Sequence, residues 1–397
     1  MANYFRQLSA PENLLRAWKK LSKKKHSRGF DEETIDEFKG DLERNIRQIS
    51  AELRSGTFEF TPLLGRLHDK ADGRKRPIKI PAVRDRVVLK AIQLLISHRF
   101  YKYNLPCSFG YIPRVSTADA VECMKRHAAS GNVWVLEADM SKFFDTVDQT
   151  LLMDRFVREI RIRSLEGLIR RALQIEIGNL DSFRPEEQDM FPQADSGIPQ
   201  GGVLSPMLAN FYLYPFDKGM SGAGYKLVRY ADDFVVMCAS EEQARSAYAL
   251  AKKILEDDLR LKLHALGNEN SKTKITPYSK GFTFLGLHFQ GGKTTPGSNS
   301  LKRFKEKISA ITDYRQGQNL LKTLTSLRNT IEGWGHAYQM YDSLEAFQSL
   351  DGYIRDRLAG YLRANGLLGK EHNLGNRQRR FLGIPSLEGI RQRARTG

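Results

Sequence analysis

Hydrophobic positions follow a helical period at both ends of the chain and gather into short runs in its middle. Leu14, Leu15, Trp18 and Leu21 form an apolar stripe at helical spacing. Asp31-Glu32-Glu33 suit a helix start, where the backbone carries partial positive charge, so a second helix is expected from there, with a break, to Leu53. Two stripes recur near the C-terminus: Leu327, Ile331, Trp334 and Tyr338, then Phe347, Leu350, Ile354, Leu358 and Leu362. These predict a helical hairpin or bundle over about residues 300–365, with Trp334 in its core. Between the helical ends, the runs Val133 to Ala138, Tyr225 to Arg229 and Phe234 to Cys238 read as strands.

Two of these strands bracket Tyr230-Ala231-Asp232-Asp233, and a third ends in Asp139. Adjacent carboxylates at the tip of an apolar hairpin repel one another and resist desolvation. Divalent cations remove that cost, so the pattern reads as half of a two-metal site for phosphoryl or nucleotidyl transfer. Glu137 shares a strand face with Asp139 by period two and is expected in a supporting or solvated role. Asp148 is a candidate helix cap, with Thr146 as its rival.

Charge sharpens the picture. The 397 residues carry a formal net charge of +17, which favours a polyanionic partner. The run Lys19-Lys20 and Lys23-Lys24-Lys25 is expected to touch nucleic acid. No stretch of about 18 uninterrupted apolar residues occurs, so no membrane span is expected. The N-terminus lacks the apolar centre of a signal peptide, which points to the cytoplasm. Cys107, Cys123 and Cys238 are far apart and outside any ligand cluster; they are expected in the core rather than on zinc.

Between the strands lies Gly197-Ile198-Pro199-Gln200-Gly201-Gly202-Val203-Leu204-Ser205-Pro206. Proline suits a first helical turn and Ser205 a cap, so a helix is expected from there. Asp139 with Phe143-Phe144, this Gln-Gly segment and Tyr230-Ala231-Asp232-Asp233, in that order, resemble the palm of reverse transcriptases, most of all the group II intron-encoded lineage and its stand-alone bacterial relatives. The resemblance extends over roughly residues 10–390. It implies an α+β right-hand polymerase: a helical N-terminal extension (1–60), fingers (61–130), a palm of antiparallel sheet with helices (131–295), a helical thumb (296–366) and a basic tail (367–397). Arg377, Arg379, Arg380, Arg391, Arg393 and Arg395 in that tail would grip phosphates or lie solvated.

The resemblance also implies roles. Asp139, Asp232 and Asp233, with the carbonyl of Met140, would hold two Mg²⁺ ions, Mn²⁺ being a substitute. Phe144 would exclude a 2′-hydroxyl. Gln200 and Gly201 would lie near the incoming nucleotide. Arg76, Lys79, Arg84 and Arg86 are unranked candidates for the triphosphate. Lys272 would protonate the pyrophosphate, with Lys274 as runner-up. Tyr230, Leu285 and Gly286 would meet the primer, and Lys23, Lys24 and Lys25 the RNA. Cys107-Ser108-Phe109-Gly110-Tyr111-Ile112-Pro113-Arg114 resembles a fingers motif, but Ile112 stands where an arginine is common.

The implied activity is RNA-directed DNA synthesis from dNTPs on a structured noncoding RNA, giving a cDNA product, without a membrane partner; self-association is left open. Ser27-Arg28-Gly29-Phe30-Asp31 departs from the signature common in intron proteins, and about 30 residues follow the helical region without a nuclease pattern. These features favour a stand-alone enzyme in antiphage defence. The alternatives are an intron-encoded protein for splicing and retrohoming, and a non-enzymatic RNA-binding splicing cofactor.

Overall fold

The structure, a computed structural model, describes the chain except residues 1–3, 22–27, 70–72, 74, 268–270, 318, 370–371 and 397. Lys23, Lys24 and Lys25 therefore lie outside the described residues. The chain divides into two compact units, residues 1–275 and 276–397.

The first unit opens with helices at Tyr4–Leu8, Pro11–Leu21, Ile35–Gly40 and Leu42–Ser55. Leu14 and Trp18 are buried as the stripe predicts. The second helix starts at Ile35, later than the acidic run suggests. Thr34 decides this: its hydroxyl accepts the Glu37 N–H, and the Glu37 carboxylate accepts the Thr34 N–H, a reciprocal cap that satisfies two end donors. Strands β1 (Leu64–Asp69) and β2 (Lys75–Ile80) then form an antiparallel hairpin.

A four-stranded sheet follows, in the order β4-β5-β3-β6, from β3 (Trp134–Asp139), β4 (Lys226–Tyr230), β5 (Asp233–Cys238) and β6 (Lys274–Pro277). Phe234 to Cys238 are all buried, because helices Thr117–Ala129, Ser205–Gly222 and Glu241–Lys252 pack against the sheet. A strand covered this way reads as a continuous apolar run rather than an alternating one. Helix Ser205–Gly222 begins where expected, but Ser205 is not its cap. Leu204 precedes it, and the Ser205 hydroxyl is buried, donating to the Pro199 carbonyl at 2.7 Å. Asp148, by contrast, does cap helix Gln149–Arg155, accepting the Leu151 N–H at 2.8 Å.

In the second unit β7 (Phe282–Phe284), β8 (Leu287–Gln290) and β9 (Lys293–Pro296) form their own antiparallel sheet. The structural division thus falls after Ile275, before the palm boundary expected at 295. The reason is local: Leu285-Gly286 (φ 54° and 76°) and Gly291-Gly292 (φ 55° and 80°) make tight hairpin turns, so these strands pair with one another. Helices Leu320–Tyr338 and Leu344–Ala364 are the expected hairpin. Trp334 packs against Phe304, Tyr338 and Phe347 at 4.7, 4.5 and 5.6 Å between ring centroids. The expected tail is folded, with helices Asn376–Phe381 and Leu387–Thr396. Arg379 is buried, donating to Asp351 at 2.8 Å, and Arg391 is buried too, so neither is a solvated phosphate grip. All three cysteines are free and buried. Among the described residues no helix is long and apolar enough to cross a membrane.

Candidate active site

β5 pairs with both β3 and β4, and the register sets Asp233 opposite Asp139 on one side and opposite Tyr230 on the other. The β4–β5 turn is Ala231-Asp232, with Ala231 at φ +60°. Three carboxylates from two sequence regions thereby meet at one end of the sheet. Desolvation first, then the charges of Asp232 and Asp139, push the Asp233 carboxyl up to about 7, while Lys272 pulls it down. Asp233 still reaches solvent, so it is crowded by walls rather than covered.

The Lys272 ammonium lies 2.5 Å from an Asp139 carboxylate oxygen, and the His264 imidazole 3.8 Å from the same oxygen. Lys274 lies 3.5 Å from Glu137 instead. Beyond β3, Met140 bridges Leu263: the Asp139 carbonyl accepts the His264 N–H, and the Ser141 N–H donates to the Lys262 carbonyl. Among the described residues no three acid, histidine or cysteine side chains already form a metal cage. The donor set nevertheless fits a hard dication: clustered carboxylate oxygens, one of them disfavoured as a bare anion by desolvation and by its acidic neighbours, with one flexible ammonium to displace.

Next to the acids, Phe143–Thr146 makes a single helical turn. Phe143 is core. Phe144 is half-buried, its ring edge-on to Phe143 at 5.2 Å and to Tyr111 at 6.4 Å. The Phe144 carbonyl accepts the Ile198 N–H at 2.7 Å, bringing in the Gln-Gly segment. Gly197 is required there: at φ +74°, a Cβ would stand 2.5 Å from that carbonyl. Gln200 donates to Asp145 at 3.0 Å, and its carbonyl accepts the Lys79 N–H at 2.9 Å, which docks β2 beside Gly201.

The four cations expected at the triphosphate separate in space. Arg76 is exposed, and its charge reaches the Tyr111 phenol, as do those of Asp232 and Asp233. Lys79 is buried with its ammonium on the Pro192 carbonyl at 3.2 Å; burial weakens its hold on the proton, and Asp145 opposes that. Arg84 has partners elsewhere: its guanidinium binds Glu52 and lies over the Phe58 ring at 5.0 Å. Arg86 donates to the Pro81 carbonyl at 2.7 Å. Tyr230 is half-buried at the end of β4. Leu285 and Gly286 belong to the second unit, where the Gly286 carbonyl accepts the Gly297 N–H at 2.9 Å and the Tyr338 hydroxyl at 3.4 Å.

Sequence reasoning missed Arg229, treated there only as the end of an apolar run. Its guanidinium is fully buried and spends every N–H. Nε donates to Asp217 at 2.6 Å, and Nη2 to Asp217 at 2.5 Å and Ser108 at 2.8 Å. Nη1 donates to the Ala231 carbonyl at 2.8 Å and to Asn210 at 3.2 Å. The available signal was a charge inside each of two apolar segments, Arg229 in β4 and Asp217 in helix Ser205–Gly222. Tyr111 was also missed, because its approach to Phe144 and the acids joins segments distant in sequence.

Residues 68–289 match the family described as reverse transcriptase (RNA-dependent DNA polymerase), and residues 301–366 match the maturase-specific domain of group II introns. The chain is 29% identical over 303 residues to Protein YkfC of Escherichia coli (strain K12), covering 67% of this chain and 76% of YkfC. It is 29% identical over 217 residues to the group II intron-encoded protein LtrA of Lactococcus lactis subsp. cremoris, covering 54% of this chain but 34% of LtrA. Among solved structures it is similar to a chain of a partial Cas6-RT-Cas1–Cas2 complex, with 24% identity, a TM-score of 0.37 and coverage of 64% of this chain and 42% of that one.

Proposed function

This chain belongs to the reverse transcriptase family, and on that premise we propose that it copies an RNA template into DNA by adding deoxynucleotides to a primer 3′-hydroxyl. The observation that carries the reading is the register of Asp139 against Asp233, with Asp232 in the adjoining turn. Asp139, Asp232, Asp233 and the Met140 carbonyl are the groups that would hold two Mg²⁺ ions. When bound, the ions would offset charge on the attacking oxygen and the leaving pyrophosphate. Lys272, released from Asp139, neutralises and protonates the pyrophosphate. The Phe144 ring bars a 2′-hydroxyl. Gln200 and Gly201 line the nucleotide site, with Arg76, and Lys79 behind it, countering triphosphate charge. Tyr230, Leu285 and Gly286 meet the primer.

For cellular role, the reading is a dedicated structured noncoding RNA copied into cDNA in antiphage defence. A second reading, splicing and retrohoming of an intron, is favoured by the maturase-specific match over residues 301–366. The test is sequencing of RNA and DNA that co-purify from the native host with wild type and with Asp232→Asn. One discrete RNA with complementary DNA, the DNA lost in the variant, supports the first reading. Intron RNA with joined exons supports the second, and RNA without variant-sensitive DNA would leave only an RNA-binding role.

A further inference from the structure

Arg229 and Asp217 are both fully shielded from water, on β4 and on helix Ser205–Gly222. Burying such a pair is expensive, and an apolar pair of similar volume often stabilises a fold as well. The guanidinium contacts suggest what the pair achieves instead. Arginine has five N–H donors in a rigid fork, and here all five are met. One acceptor is the carbonyl of Ala231, the left-handed residue of the turn. That carbonyl shares a rigid peptide plane with the Asp232 nitrogen, so its direction sets how Asp232 leaves the turn. Alanine disfavours a left-handed φ, and something must hold it there.

The same network reaches the segment before Tyr111. Ser108 accepts from Arg229, and Asn210 donates to the Gly110 carbonyl at 2.8 Å. Gly110 lies directly against the turn: a Cβ there would be 2.4 Å from the Ala231 nitrogen. Helix, fingers segment and acid-bearing turn therefore converge on one side chain.

We infer that Arg229 is the positioning residue of the catalytic turn: by gripping the Ala231 carbonyl while anchored on Asp217, it aims Asp232 at the metal site. This rests on the polymerase reading of that site. Lysine keeps the charge but cannot span Asp217 and Ala231 together, since its ammonium is a single point.

The test is single-nucleotide extension of a DNA primer on an RNA template by wild type, Arg229→Lys and Asn210→Ala, with thermal melting and amide hydrogen exchange on each protein. Extension by wild type checks the polymerase reading separately. The expected result for Arg229→Lys is a maximal rate lowered ~10- to 100-fold, as misplacement of about 1 Å produces. Its apparent dNTP Kd should stay within about threefold, and exchange should quicken at residues 230–233 with little change elsewhere. A wild-type rate in folded Arg229→Lys overturns the inference, because the strand ladder would then suffice. So does a joint fall in rate, affinity and melting point, which marks a merely structural pair. Should Arg229→Lys fail to fold, Asn210→Ala decides: a rate loss with unchanged Kd sustains the inference, and an unchanged rate overturns it.

Discussion

Asp139 and Asp233 stand directly opposite one another on the ladder between β3 and β5, although 94 positions separate them in the chain (233 − 139 = 94). A slip of one residue would turn one of them to the opposite face, so this register is the condition for a shared site.

Asp232→Asn should abolish nucleotide addition, by at least ~10²-fold, because an amide cannot replace the carboxylate charge. Melting and RNA retention should stay near wild type, since Asp232 lies in a turn outside the core. Primer extension with a melting curve on the same preparation checks both halves.

Lys272→Ala should slow single-turnover incorporation by ~10²-fold or more. Lys274→Ala should do far less, because Lys274 lies at Glu137 rather than Asp139. Equal losses from the two substitutions would show that the two lysines serve the reaction equally.

Phe144→Ala should raise ribonucleotide use relative to deoxynucleotide by about 10- to 100-fold, the range that a small steric difference in a pocket produces. The Phe143 core contact remains, so stability should change little. Competition between rNTP and dNTP at one template position measures it.

Asp85 predicts a stability slope with pH. It is fully buried, and desolvation pushes its carboxyl from 3.8 to about 7 despite the Thr61 N–H bond and nearby Arg84. The folded chain keeps a proton that the unfolded chain releases, so the contribution is complete below about pH 4 and is lost as pH rises through 7. That interval corresponds to roughly 4 kcal/mol at most. Denaturation midpoints from pH 4 to 8 should fall for wild type and flatten for Asp85→Asn; parallel profiles would refute this account.

Arg379→Ala should loosen residues 376–396, because it leaves Asp351 without its buried partner. Losing one member of such a pair costs about 3–5 kcal/mol. Limited proteolysis should cut there first, while cleavage of the first unit stays at its wild-type rate.

The sequence by itself determined much of this protein. Short-range patterns announce the strand ends that bear Asp139, Asp232 and Asp233 and the helical hairpin with Trp334, because period and turn chemistry act over a few residues. The Gln200-Gly201 segment stands out through its resemblance to reverse transcriptases. Caps are local too, and Thr34 with Glu37 was readable from a four-residue motif that the acidic run at 31–33 obscured. Tertiary structure alone decided which charges act together. Arg84 is equally basic in sequence but pairs with Glu52, while Arg76 is exposed with its charge reaching Tyr111. Lys272 and Lys274 differ by two positions, yet they face different carboxylates. Arg229 looked like the end of an apolar run until Asp217, Asn210, Ser108 and the Ala231 carbonyl closed around it. The physical reason is that a charge takes its role from the partners and solvent within a few ångströms, and folding brings those partners from anywhere in the chain.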